Sequence, residues 1–261
     1  MLWPNMKKNF WVWEKEFIFD LSGTNGYEFN TECLRHGIVN NALIYGRNGV
    51  GKSNLALAIF DIIEHLTDKN KDEKKYSNYL NAYSDSKIVE FYYEFLIDGV
   101  VVQYEYSKSD YKTLIYEKLS INKVDVIFFD RKQGNNQFTV NLKGAETLNN
   151  IINDSQLSVV KYVRNNTVLE ENQVSRIFIN FLEFVDKMLY FRSLEDRMYL
   201  GLETGSRILG DEIIEKNNVE DFESFLNAAG IECKLSVVEE INKKTLVFDF
   251  DGKKIPFFDI A

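Results

Sequence analysis

Eight consecutive residues, Gly46-Arg47-Asn48-Gly49-Val50-Gly51-Lys52-Ser53, match G-x-x-x-x-G-K-[ST] in full. Glycines at these positions let a backbone wrap around phosphate oxygens with its N–H groups turned inward. A helix starting behind the loop adds positive potential. In such a loop Lys52 reaches the β and γ phosphates of a nucleotide, and Ser53 offers a hydroxyl to Mg²⁺, which prefers oxygen ligands in octahedral geometry. The spacing predicts a nucleotide-phosphate site on Gly46, Arg47, Asn48, Gly49, Val50, Gly51, Lys52 and Ser53, with Ser53 on the metal.

The flanking patterns fit that site. Ala42-Leu43-Ile44-Tyr45 is a short apolar run stopped by glycine, as expected of a buried central strand. From Ser53 the period becomes helical, with Leu55, Ala58, Ile59, Ile62 and Leu66 on one side and Asp61 and Glu64 on the other. Upstream, residues 10–21 read as strand, and Ser22-Gly23-Thr24-Asn25-Gly26 as a turn. Downstream, residues 68–75 mix both charges in a solvated stretch. A strand-rich block follows at 89–97, 100–106, 113–121, 126–129 and 138–140, with Asp98-Gly99 as a type I′ hairpin signal. Helical period returns after Thr147 and is strongest over 177–189, residues 195–223 are acidic, and strands are expected at 235–238, 245–250 and 255–258 with Asp251-Gly252 as a turn.

Composition sets the outer bounds. The chain has 261 residues, 45% hydrophobic and 27% charged, which is ordinary for a globular protein. No run approaches the roughly 18 apolar residues of a membrane-spanning helix, and the N-terminus lacks the pattern of a secretory signal, so a cytoplasmic protein is expected. A net charge of −9 argues against a chain-wide nucleic-acid footprint, although Lys118, Lys123, Arg131, Lys132 and Lys143 leave a local basic face open. Cys33 and Cys233 lie far apart, and with His36 and His65 they form a poor zinc set, which points to reduced thiols.

The segment Tyr45-Gly46-Arg47-Asn48-Gly49-Val50-Gly51-Lys52-Ser53-Asn54-Leu55, followed by Ala58-Ile59, resembles the G-x-N-G-x-G-K-[ST]-N-L-x-x-A-I phosphate loop of ABC-type ATPases. More narrowly it is similar to the AAA-annotated RecF, SMC and overcoming-lysogenization-defect group. The resemblance implies an α/β P-loop NTPase fold, the ABC-type ATPase head, with N-terminal strands, a strand-rich antiparallel lobe and a helical lobe. On that plan residues 1–75 form the phosphate-loop core, 76–145 the strand-rich lobe, 146–230 the helical lobe and 231–261 returning strands. It implies ATP and Mg²⁺ as cofactors and Asn54 as part of the nucleotide site. It further implies a Q-loop glutamine touching Mg²⁺, for which Gln156 has about the right position and Gln173 competes. Family members act in DNA repair, chromosome organisation and anti-phage defence, so the expected partners are a second copy or higher homo-oligomer and an effector nuclease or toxin, with DNA possible.

The family's hydrolytic residues are not evident. Apolar runs ending in aspartate occur at Asp130, Asp249 and Asp259, yet Arg131, Phe250 and Ile260 follow where the family has glutamate. Leu21-Ser22-Gly23-Thr24-Asn25 resembles an ABC signature but precedes the phosphate loop. The chain is therefore expected to be the N-terminal part of a longer ATPase that hydrolyses ATP only in the complete protein or assembly. The alternative is a non-hydrolysing nucleotide-binding regulatory or scaffold module. A small-molecule P-loop kinase is a third reading, which the scattered Arg164, Arg176, Arg192 and Arg197 support poorly.

Overall fold

Strict alternation between buried and half-buried side chains over residues 89–97 and 101–106 marks two half-buried strands of an antiparallel meander. The computed structural model describes residues 2–8, 17–22, 26, 28–67, 79–82, 84–134, 136–192, 198–200, 209–240 and 243–257. Two compact units divide at Met188 and Leu189. Among the described residues the architecture is mixed α and β, and every strand pairing is antiparallel.

The first unit holds β1 (Leu2–Lys8), β2 (Phe17–Ile18), β3 (Leu34–Arg35), β4 (Ile38–Val39), α1 (Lys52–Leu66), β5 (Val89–Ile97), β6 (Val100–Lys108), β7 (Leu114–Ile121), β8 (Val124–Asp130), β9 (Phe138–Val140), α2 (Val159–Asn166) and α3 (Gln173–Asp186). Seven of the strands form one sheet in the order β2-β1-β5-β6-β7-β8-β9. Asp98 and Gly99 join β5 to β6 with φ of 49° and 77°, the left-handed pair that a type I′ turn requires. The Asn122-Lys123 turn between β7 and β8 adopts the same sign at φ of 50° and 65°, without a glycine. The expected turn at 22–26 and the charged stretch at 68–75 lie largely or wholly outside the described residues.

One face of the sheet is the core. Phe91, Tyr93 and Phe95 of β5 and Tyr104 and Tyr106 of β6 are buried there, and α1, α2 and α3 pack on that side. Phe181 of α3 meets the Phe95 ring edge-on at 5.1 Å and the Tyr104 ring at 5.8 Å. Side-chain caps start the two later helices: Ser158 Oγ accepts from the Lys161 N–H at α2, and Asn172 Oδ1 accepts from the Ser175 N–H at α3. On the opposite face, β5 to β8 carry the carboxylates of Glu90, Glu94, Glu105, Asp125 and Asp130 beside the ammonium of Lys118. Burial and that surrounding negative charge push the Tyr116 phenol up to about 12.

The second unit contains β10 (Tyr190–Arg192), β11 (Met198–Leu200), α4 (Leu209–Glu215), α5 (Val219–Ala228), β12 (Leu235–Glu240), β13 (Lys243–Phe250) and β14 (Lys253–Pro256). Its core gathers Ile213, Leu226, Leu235, Leu246, Phe248 and Phe257. Asp251 and Gly252, with φ of 51° and 98°, make the turn between β13 and β14 that their types indicate.

Candidate functional site

Residues 46–51 form an irregular loop that delivers the chain directly into α1. Gly49 and Gly51 adopt φ of 83° and 97°, a left-handed backbone that side chains disfavour. No atom lies within 4 Å of a Cβ built on Gly49, so glycine is required there by conformation and not by crowding. Gly51 is also the residue that caps α1, without any side-chain hydrogen bond, and the Leu55 N–H makes the first helical bond back to its carbonyl at 3.0 Å. The N–H groups of Lys52, Ser53 and Asn54 stand ahead of that bond, with no carboxylate in the first turn to neutralise the helix end.

Lys52 folds back over this loop. Its ammonium donates to the Gly46 carbonyl at 2.7 Å and to the Arg47 carbonyl at 2.9 Å, which holds a positive charge directly above the turn. Ser53 is exposed, and Asn54 is half-buried beside it. The donor types a nucleotide phosphate would need are present, an ammonium over the loop and first-turn N–H groups with no carboxylate in that turn, with the exposed Ser53 next in sequence.

The run before the loop departs from expectation. Residues 42–45 are not in a strand, and Leu43 and Tyr45 are 88% and 89% exposed. A strand is a property of a pair, and no described residue supplies this run with a neighbour; its apolar character alone does not make it a buried strand.

Behind the loop, α1 is fastened to the sheet by polar contacts. Asp61, expected on the solvent side of the helix, is fully buried instead. Its carboxylate accepts from the Lys108 ammonium at 2.7 Å, the Tyr106 hydroxyl at 2.8 Å and the Tyr79 hydroxyl at 2.6 Å. Lys108 is itself fully buried and extends β6 beyond the strand end expected from sequence. One turn earlier, the Tyr93 hydroxyl donates to the Ala58 carbonyl at 2.7 Å. One turn later, His65 Nε2 meets the Tyr104 hydroxyl at 2.8 Å. Burial, with the Lys108 charge adding to it, holds the His65 imidazole well below its usual range, so the ring is neutral.

Tyr104 continues the chain of contacts into β7, where its hydroxyl donates to Glu117 at 2.6 Å. Glu117 also accepts from the Ser158 hydroxyl at 2.5 Å and from the Val159 N–H at 2.6 Å, so a buried carboxylate receives the start of α2. Burial pushes the Glu117 carboxyl up despite these donors.

The structure does not bring Gln156 to Ser53. Gln156 lines a cavity of about 270 Å³ with Glu64, His65, Asp154 and Lys161, at the C-terminal end of α1. At 1.5 Å per residue, that end lies about 18 Å from Ser53 along the helix. The loop carrying Gln156 is fixed there because Arg131 donates to the Ile152 carbonyl at 3.2 Å and to the Asp154 carbonyl at 2.6 Å, while its guanidinium sits 4.5 Å from the Phe129 ring centre. Gln173, the alternative, opens α3 and lines a separate groove with Glu171 and Arg176.

The candidate strand-end carboxylates have local partners. Asp130 accepts from the Lys132 N–H at 2.9 Å, and Asp249 accepts from the Gly252 N–H at 3.0 Å. Asp259 lies outside the described residues. Among the described residues no group of three or more His, Cys, Asp or Glu side chains is placed to hold a metal ion. No helix of the described residues is long and apolar enough to cross a membrane.

The buried polar line beneath α1 was the part that sequence reasoning missed. Its signal was present: Tyr104, Tyr106 and Lys108 share one face of β6 at period two, and Asp61 falls between Ala58 and Ile62 in the apolar stripe of α1. The chain matches no protein-family model, and no curated protein or solved structure is similar to it.

Proposed function

We propose that the chain binds MgATP through residues 46–54, as the N-terminal portion of an ABC-type ATPase head of the RecF, SMC and overcoming-lysogenization-defect group. The observation that carries this reading is the junction itself: left-handed Gly49 and Gly51, the Lys52 ammonium over the loop, and a helix start with no side-chain cap and no carboxylate in its first turn. In that reading the first-turn N–H groups and Lys52 bind the phosphates. Ser53 holds Mg²⁺, and Arg47, Asn48, Val50 and Asn54 flank the bound nucleotide. In the complete protein or assembly, two heads close on ATP, and hydrolysis separates them to control an effector partner in defence or DNA maintenance.

A second reading, nucleotide binding without turnover, draws on a specific observation. Asp130 and Asp249 each accept a backbone N–H of their own turn and are followed by Arg131 and Phe250, so neither stands beside a glutamate that could activate an attacking water. Titration calorimetry with MgATP separates the possibilities. The chain is expected to bind ATP, Lys52→Ala to abolish binding, and the isolated chain to hydrolyse almost none. Equal affinity in Lys52→Ala would refute the phosphate site, and turnover abolished by Lys52→Ala would refute the absence of catalytic groups.

A further inference from the structure

Interdigitated apolar side chains limit how far a helix rolls or slides on a sheet, and directional polar contacts narrow that range further. Along α1, residues spaced three and four apart meet the sheet-side polar groups in turn. The Ala58 carbonyl takes Tyr93, Asp61 takes Tyr106 and Lys108 together with Tyr79, and His65 meets Tyr104. At the centre, Asp61 and Lys108 are both at 0% exposure. A buried ion pair adds little net stability over apolar residues of the same volume, and its best-attested effect is to fix register.

We propose that the Asp61–Lys108 pair, with Tyr79 and Tyr106, sets the axial and rotational position of α1 and so of the phosphate loop at its start, which makes Asp61 and Lys108 positioning residues for the nucleotide. The proposal rests on the phosphate-site reading above. Asp61 lies nine residues beyond Lys52 in one continuous helix, so a displacement at the pair is carried to the loop about 13.5 Å away. A one-turn slip would move the loop by about 5.4 Å, whereas misplacement by about 1 Å is enough to weaken positioned chemistry.

The test removes the ion pair together with the two hydroxyls that donate to it, Asp61→Leu, Lys108→Met, Tyr79→Phe and Tyr106→Phe, and leaves the Tyr93 hydroxyl its bond to the Ala58 carbonyl. This variant is expected to unfold cooperatively with a melting temperature close to that of the parent, yet to bind MgATP at least tenfold more weakly. Spin labels at Ser53→Cys and Thr139→Cys, in a Cys33→Ser and Cys233→Ser background without nucleotide, should give one narrow distance in the parent and a broadened or displaced one in the variant. Parental affinity in the folded variant would overturn the proposal. Loss of cooperative unfolding would overturn it too, because the pair would then be a requirement for folding and not for register. If the parent takes no MgATP, the phosphate-site reading fails and the nucleotide-positioning role falls with it; the label distances then decide only whether the pair sets the position of α1, which an unchanged narrow distance overturns.

Discussion

Replacing Lys108 alone with methionine tests how much of the first unit depends on a matched charge. The substitution keeps the volume of the stem but leaves the Asp61 carboxylate at 0% exposure, accepting from the Tyr106 hydroxyl at 2.8 Å and the Tyr79 hydroxyl at 2.6 Å. Breaking a buried pair by removing one partner costs about 3–5 kcal/mol. Two surviving hydroxyl donors place the expected loss near the lower end, at about 3 kcal/mol. For a unit of 188 residues, an unfolding entropy of about 2.1 cal/mol/K per residue converts that loss into a fall of about 8 °C in melting temperature. Scanning calorimetry reads the shift, and urea unfolding followed by circular dichroism gives the free energy. A fall of less than about 2 °C, the behaviour of an exposed pair, would refute the claim that Asp61 depends on this ammonium.

Two further substitutions probe other parts of the same unit. His65 has a folded value held well below 6.5, so the unfolded chain takes up a proton first as pH falls through 6.5, and the stability associated with the neutral ring is full above that value and lost below it. Between pH 7.5 and 5.5 the parent should lose stability relative to His65→Gln in urea unfolding, and parallel pH profiles would contradict the neutral buried ring. Lys123 occupies a left-handed position at φ of 65°, and Lys123→Gly should raise stability by about 0.5–1 kcal/mol through relief of that backbone. Thermal melts that place the glycine variant below the parent would show that the turn is not strained.

Legibility from sequence followed the range of the interaction. The turns at Asp98-Gly99 and Asp251-Gly252 were readable because left-handed backbone is a demand on single residues. The strand-rich block was readable for a related reason: period-two alternation at residues 89–97 gives the strand and its buried face together. The left-handed backbone at Gly49 and Gly51 was readable from a motif whose glycines have conformational duties of their own. Residues 42–45 failed because apolar character cannot supply the neighbour a strand needs. Asp61 failed because formal charge suggested solvent, whereas its environment is set by Lys108, 47 positions away in sequence. Gln156 failed because order along the chain does not reveal which end of α1 a later loop will reach.

The carboxylate-bearing face of the seven-stranded sheet also has a long-range effect. On β5 to β8, Glu90, Glu94, Glu105, Asp125 and Asp130 share that face, and the Lys118 ammonium is drawn to Asp125 at 3.2 Å. The resulting potential extends beyond contact distance, by roughly 8 Å at physiological ionic strength. An oncoming polyanion meets repulsion there and an incoming cation meets attraction. The carboxylates of these four strands thus favour cations over anions nearby, and dilute salt makes that preference reach further.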